Sequence, residues 1–445
     1  MQSRGNILIL WNQVEEDVYE HWRDEGPRPL PWDPERFVPD VGTVAEEMDA
    51  MVAAIRSRGY QVQIVNVRDD LDRLLSSVRL FRPDLVLNLM EFFNDDSNQE
   101  SYITGLLDLL RLEYTGNPPL TLATCQNKYR TKLILEAHEL PTSPYFLITD
   151  GRKPVPTAHE LEFPLIVKPV LEDASGGIEH RSVVHDQSEL ETQIQRVWRE
   201  YKTPILVEEY IDGREIHVAL LGNDPPEVLP LFEMEFDDSE FNPEGEWRPQ
   251  IISYRAKWDP HSPEFYSMDS MCPAQDLEEE METYIRDVAI QAYRAMGCRD
   301  YARIDMRVDE EEGEVYILEL NPNPDLADGA AYMQCATASG RSFAGTLEAI
   351  LEMGMTRVRR RHAKAAQKNQ LPSDHLMREW VVSHQRGEKT IIPVSGAGEP
   401  APPTGLPAKP APHRAAPAAR PTPDAPAWPD PESIEPSLPA ADPTS

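Results

Sequence analysis

The stretch YARIDMRVDEEEGEVYILELNPNPD (301–325) decides the reading of this chain. Two apolar-rich runs flank the acidic turn 309–313, the pattern of a β-hairpin. Alternate residues of a strand share a side. Ile304, Met306 and Val308 therefore fall on one face of the first strand, and Tyr316, Leu318 and Leu320 on one face of the second. The other face collects Arg303, Asp305, Arg307, Glu319 and Asn321, and a symmetric turn places Arg303 opposite Glu319. Two carboxylates and an amide form a hard oxygen set of the kind that takes Mg²⁺, with substrate phosphates completing the octahedron. The same pattern also fits a solvated strand face carrying cross-strand ion pairs of little individual worth.

Working outward, the first third alternates strands with helices. NILILW (6–11), QVQIVNV (61–67) and PDLVLNLM (83–90) read as strands. Helices are expected at 43–59, where Val44, Met48, Met51, Val52 and Ile55 recur at helical spacing before Gly59, and at 69–81 and 99–111. Such alternation implies a small open α/β domain with a parallel sheet. No GxGxxG turn follows the first strand, which disfavours the usual dinucleotide fold. From about residue 127 the pattern becomes α+β. A helix is expected at 127–140, then strands at 164–168 and 181–184, a helix at 187–200, strands at 204–211 and 216–222, and a long helix at 276–296.

Several further residues point to an anionic ligand. Lys168 ends the apolar strand PLIVK, and ASGGIE (174–179) supplies glycines that let backbone N–H groups wrap an anion. Glu208 and Glu215 flank the turn Asp212–Gly213, placed to read an adenine edge and ribose hydroxyls, or simply to cap an exposed hairpin. Lysine is scarce, ten residues in all, yet Lys128, Lys132, Lys168 and Lys257 fall in or beside these segments. An acidic protein that binds a polyanion must place positive charge locally.

Composition bounds the rest. The chain has 445 residues and a formal charge of −34, which argues against nucleic-acid binding, since phosphate neutralisation needs clustered Lys and Arg. No apolar run approaches the ~20 residues of a spanning helix, and four scattered cysteines without a CxxC pair suggest neither zinc nor a disulfide framework. A reducing cytoplasm is the expected setting. Sixteen of the 42 prolines follow residue 392, so 393–445 is expected to be a disordered Pro/Ala-rich tail. The basic stretch 357–368 reads as a solvated terminal helix or as an interaction surface.

Taken in order, these segments resemble the ATP-grasp superfamily and, within it, the D-alanine–D-alanine ligase-like enzymes. The matching run extends from PDLVLNLM and LEYTGN through NKYRTKLILEAHELPTSPY, VKP with ASGG, VEEYIDGREI, RAKW, RID and ELN. The resemblance implies an ATP-grasp fold of mixed α/β and α+β class. It comprises an N-terminal α/β domain (1–118), a central subdomain (119–210), a C-terminal subdomain carrying the metal site (211–355) and a basic helical extension (356–392). It also implies the site roles. Lys128 and Lys168 contact ATP phosphates, and Ser175, Gly176 and Gly177 lie in the loop that covers them. Glu208 reads the adenine amino group, Ile211 supplies hinge backbone, Glu215 holds the ribose, and Lys257 reaches the terminal phosphates. Asp305, Glu319 and Asn321 bind two Mg²⁺ (or Mn²⁺) ions with Glu319 between them, and Arg303 stabilises an oxyanion.

The implied activity is ADP-forming ligation of a carboxylate to an amine through an acylphosphate, by a cytoplasmic enzyme acting on small molecules and expected as a homodimer. The alternatives are a silent ATP-binding scaffold and an enzyme with a non-amine acceptor. The substrate loops depart from the family. WNQVEEDVYEHW (11–22) stands where a glycine-rich loop is usual, Glu91 stands near an expected His, and PNPDLADGAAY (322–332) brings Asp325 and Asp328. A substrate pair other than two D-alanines is therefore expected, with acidic loops that receive an amine or cationic group.

Overall fold

The computed structural model describes residues 3–14, 28–38, 42–155, 159–237, 239, 242, 247–310 and 312–370, with side chains to 364. All belong to one compact unit, 1–371. The tail expected at 393–445, the 371–392 part of the basic extension and 15–22 of the first substrate loop lie outside the described residues.

The N-terminal part is a parallel sheet of β1 (Asn6–Trp11), β2 (Gln61–Asn66), β3 (Leu85–Asn88) and β4 (Glu113–Tyr114) in the order β2-β1-β3-β4. Helices α1 (Val44–Ser57), α2 (Leu71–Phe81) and α3 (Glu100–Leu109) cover it. Ile7 and Ile9 face one core while Leu8 and Leu10 face the other, so β1 is apolar without alternation, as a strand buried on both faces must be. The first helix starts where Thr43 and Glu46 form a capping box, Glu46 N–H donating to Thr43 Oγ1 at 3.3 Å and Thr43 N–H to Glu46 Oε2 at 3.0 Å.

A short helix, α4 (Pro119–Cys125), which the sequence reading passes over, leads into α5 (Lys128–Ala137). The next sheet is antiparallel, with β5 (Tyr145–Ile148), β6 (Leu165–Pro169), β7 (Val183–Val184) and, after α6 (Gln187–Tyr201), β8 (Ile205–Glu209), ordered β5-β8-β6-β7. The largest sheet contains β9 (Arg214–Leu221), β10 (Glu227–Val228) and β11 (Phe232–Phe236). After α7 (Tyr254–Trp258) it adds β12 (Met268–Met271), then, after α8 (Glu279–Ala295), β13 (Tyr301–Asp309) and β14 (Glu314–Asn321). Its order is β12-β11-β9-β13-β14, with β10 on β9. Two helices follow, α9 (Ala331–Ala338) and α10 (Phe343–Gln370). The expected boundary at 355/356 therefore falls inside one continuous helix. Met355 and Val358 are both buried, so the basic stretch begins on a packed face rather than a free one.

The hairpin corrects one expectation. Arg303 lies opposite Asn321, and Glu319 lies opposite Asp305, because the register shifts between Asp305 and Met306. The extra residue on β14 is Leu318, which has no partner in the ladder. Val315, Ile317 and Leu320 are the buried residues of β14, whereas Tyr316 and Leu318 are only partly covered. Strict alternation from Val315 and Ile317 would send Glu319 into the core. The bulge reverses the phase and returns Glu319 and Asn321 to the polar face.

Candidate active site

The polar face of β13 and β14 is a compact network. Arg303 forks onto Asp305, with Nε 2.7 Å from Oδ1 and Nη2 2.8 Å from Oδ2. Asn321 Nδ2 donates to Asp305 Oδ2 at 2.8 Å and to Glu319 Oε1 at 3.4 Å. Lys128 opens α5, where Asn127 caps the helix by accepting from the Arg130 N–H, and its Nζ lies 3.1 Å from Glu319 Oε2. Lys128 leads the groups that hold the Glu319 carboxyl well below its usual range, against the opposing effect of burial and with help from Arg303. Burial works against the charge on Lys128, but Glu319, with Asp173 and Glu208, outweighs it and the net shift is upward.

A second cluster lies between β6 and β8. Glu208, 2% exposed, accepts from Lys168 Nζ at 2.8 Å and faces Lys132 Nζ at 3.2 Å. Burial opposes ionisation of Glu208, and the two lysines overcome it, so its carboxyl is held below the usual range. Lys132 also donates to Thr142 Oγ1, Ser143 O and Ser143 Oγ, and it is 1% exposed. It is a bracing residue, which leaves Lys168 as the member of the pair nearer to solvent.

The loop after β6 is locally constrained. Ala174 and Ser175 both have positive φ, and Gly177 (φ +76°) passes so close to Pro169 that a Cβ there would lie 2.9 Å from Cγ. The loop is tied to α7, where Trp258 Nε1 donates to Ala174 O at 3.0 Å and Tyr254 N donates to Ile178 O at 2.9 Å. This brings Lys257 of α7 and the loop residue Asp173 to the hairpin. Burial and Arg303 depress the Lys257 pKa, while Asp173 is raised by burial against the pull of Lys128.

The third element follows β3. In an open α/β sheet, ligands lie beyond the carboxyl ends of the strands. Glu91 stands there with Asp325, Lys257, Asp173 and Glu47 as its charged neighbours. Glu91 is exposed, and desolvation by the protein around it and then Asp325 push its carboxyl up to about 7. Asn323 braces the floor, donating to Met90 O and to buried Glu100 Oε1, each at 2.9 Å.

Among the expected site residues, Arg303, Asp305, Glu319, Asn321 and Lys128 join one hydrogen-bonded network, Lys168 and Glu208 a second, and Lys257 sits within electrostatic reach of the first. Ser175, Gly176 and Gly177 lie in the loop tied to the Lys257 helix, Ile211 follows β8, and Glu215 pairs with Arg307 at 2.8 Å. His217, buried beside Glu215, and Asp173 were not singled out by sequence. His217 shares the alternation of Glu215, a signal available only once β9 is known to pair with β13. Among the described residues no three His, Cys, Asp or Glu side chains gather as a metal cage. Two carboxylates and an amide instead suit an ion that draws its remaining ligands from phosphates and water. A cavity of about 640 Å³, bordered by Gly151, Arg152, Gln195, Trp198, Arg199 and Lys202, shares no residue with these networks.

Comparison with known proteins bears on the family and the fold. Residues 134–352 match the family model described as D-ala D-ala ligase C-terminus. An uncharacterized protein of Sinorhizobium fredii, y4sG, is 31% identical over 359 residues, covering 79% of this chain and 97% of that one. The D-alanine–D-alanine ligase of Desulforudis audaxviator is 30% identical over 310 residues, covering 69% and 92%. Among solved structures, the D-alanine–D-alanine ligase of Bacillus anthracis complexed with ATP superposes with a TM-score of 0.58 at 19% identity, covering 80% of this chain and 99% of that one. The VanG D-Ala:D-Ser ligase of Enterococcus faecalis gives 0.58 at 19%, covering 79% and 100%. With the fold, the ordered motifs and full-length relatives in agreement, the chain belongs to the D-alanine–D-alanine ligase family of ADP-forming ATP-grasp ligases.

Proposed function

We propose that the protein uses ATP to join a carboxylate to an amine, and that the pair is not two D-alanines. The observation that carries the reading is the hairpin network, in which Arg303, Asp305, Glu319 and Asn321 meet Lys128 on a partly solvated face. Lysine charge beside the acids suits a polyphosphate that arrives with its cations. In this reading Lys128, Lys168 and Lys257 contact the phosphates, with Ser175, Gly176 and Gly177 above them. Glu208 reads adenine beside the Ile211 backbone, and Glu215 holds the ribose. Asp305, Glu319 and Asn321 would hold two Mg²⁺ ions, whose charge offsets repulsion among the phosphate oxygens.

The substrate carboxylate attacks the γ-phosphorus, ADP leaves, and an acylphosphate forms. An amine then attacks the acyl carbon, phosphate departs and an amide remains. The fork onto Asp305 fixes the Arg303 guanidinium in advance, so it can stabilise the tetrahedral oxyanion without reorganising. The loop bonded to α7 excludes water that would hydrolyse the acylphosphate.

The substrate reading rests on the cleft beyond β3. Glu91 has three acids, Asp325, Asp173 and Glu47, and one lysine, Lys257, as its charged neighbours there, an excess of negative charge that favours an amine partner bearing a further cationic group. The homodimer and the cytoplasmic setting belong to the same proposal, and no helix of the described residues is long and apolar enough to cross a membrane. The test supplies the protein with ATP, Mg²⁺ and pooled carboxylic acids and amines while ADP and phosphate are measured. Turnover above ATP alone with cationic amines, and less with D-alanine, is the expected result. Tight ATP binding with no stimulation by any pool would favour a silent module, and D-alanine as the best partner would overturn the substrate assignment.

A further inference from the structure

Two buried side chains on the polar face have no part in the roles above. On β9, Glu215 lies directly opposite Arg307 of β13, and His217 directly opposite Asp305. The three that flank Asp305 are almost closed to solvent, with Glu215 6%, His217 4% and Arg307 3% exposed. Each oxygen of Glu215 is engaged. His217 Nε2 lies 3.2 Å from Oε1, and Arg307 Nη2 lies 2.8 Å from Oε2.

Both partners are themselves fixed. Arg307 donates to Gly213 O at 2.6 Å and to Gln250 O. The His217 ring stacks on Phe232, with centroids 5.6 Å apart and planes 15° apart, and its Nδ1 has no partner. The imidazole is therefore oriented by one hydrogen bond and one stack, and the hydrogen bond goes to Glu215. A carboxylate has about four acceptor sites, so two remain on Glu215 after these contacts. A side chain held in one rotamer before binding gives up less freedom when its ligand arrives.

We propose that His217 is a positioning residue for the nucleotide sugar, which together with Arg307 presets the Glu215 carboxylate so that binding depends on the ribose hydroxyls. The inference rests on the reading that this chain binds ATP through Glu215. Its test uses the full chain and calorimetric titration with Mg·ATP and with Mg·2′,3′-dideoxy-ATP, so no acceptor substrate is needed. His217→Phe keeps a ring against Phe232 and removes the donor; His217→Gln keeps a donor.

The phenylalanine variant should bind ATP about tenfold more weakly, the scale of one hydrogen bond to a charged group. Its affinity for the dideoxynucleotide should stay within about twofold of wild type, and His217→Gln should recover most of the ATP affinity. Equal weakening of both nucleotides, or of neither, would overturn the inference. Should the phenylalanine variant not fold, His217→Leu is read in the same way. Equal wild-type affinity for the two nucleotides defeats the inference and leaves the ligase reading intact, whereas no binding of ATP at all defeats both.

Discussion

Lys128 Nζ sits 3.1 Å from Glu319 Oε2, joining the first residue of one helix to the last strand of a sheet 191 residues away. Because Lys128 holds the Glu319 carboxyl down at about 2, the pair contributes stability above the ordinary carboxylate pKa and loses it as pH falls from about 4.5 towards 2. Glu319→Gln should lower the thermal midpoint at pH 7. The gap from wild type should close on acidification through that window, and turnover should vanish at every pH. A gap that is constant with pH would show that the pair carries no net electrostatic stability.

Glu208 offers a sharper stability test, because it and Lys132 are almost wholly buried. Removing one partner of a buried ion pair leaves an uncompensated charge and costs roughly 3–5 kcal/mol. Glu208→Gln leaves Lys132 and Lys168 facing each other and should destabilise the fold by about that amount in urea titration. Replacing Lys132 with Met alongside Glu208→Gln should recover part of the loss. A double variant no more stable than the single one would show that Lys132 is braced by Thr142 and Ser143 alone.

How far the sequence reaches is clearest at the hairpin. Alternation alone collects Arg303, Asp305, Glu319 and Asn321 on one side, since a period of two is local information. It mispairs them, because a bulge is a choice made by the whole sheet. Only packing of Val315 and Ile317 against the helix side and exposure of Glu319 to the cleft fix Leu318 as the extra residue. His217 was invisible for a related reason. Its partners lie on its own strand, on Phe232 of β11 and on a strand more than 80 residues later, and the last pairing is non-local. The helix begun by Thr43 was legible to within two residues at each end, whereas the one capped by Asn127 stops three residues short of its expected end.

Gly213 tests whether the hinge between β8 and β9 has a required geometry. At φ +151°, a Cβ on Gly213 would lie 2.4 Å from Val308 O, and its own carbonyl accepts from Arg307. Gly213→Ala must move backbone rather than a flexible side chain. A cost of about 1–3 kcal/mol is expected, together with weaker ATP binding, because the shift displaces Arg307 from Glu215. Unchanged stability and affinity would mean that the strand ends yield freely.

The anchor of the C-terminal helix should act on stability alone. Arg357 forks onto Asp300, which is fully buried, at 2.6 and 2.7 Å, and also donates to Tyr114 O at 2.7 Å. None of these atoms belongs to the hairpin network or to the Glu208 cluster. Arg357→Met should cost roughly 3–5 kcal/mol by leaving the Asp300 carboxylate without its guanidinium, while the KM for ATP of the folded fraction stays within twofold. A large change in KM would place this helix in the active-site machinery.

Glu91 gives the substrate proposal its pH signature. With its carboxyl pushed up to about 7 by burial and by Asp325, it is largely neutral at pH 6 and charged at pH 8. The sign follows from what the cleft has to receive. A cationic acceptor gains a counter-charge as pH rises through 7, so its KM should fall across that interval, whereas a neutral or anionic acceptor gains nothing. Glu91→Gln removes the ionisation and should flatten the profile near 7, leaving the KM for ATP unchanged if, as proposed, ATP is held by the hairpin and by Glu208. A profile with the same inflection in both proteins would assign the ionisation to another group and remove the main support for a cationic substrate.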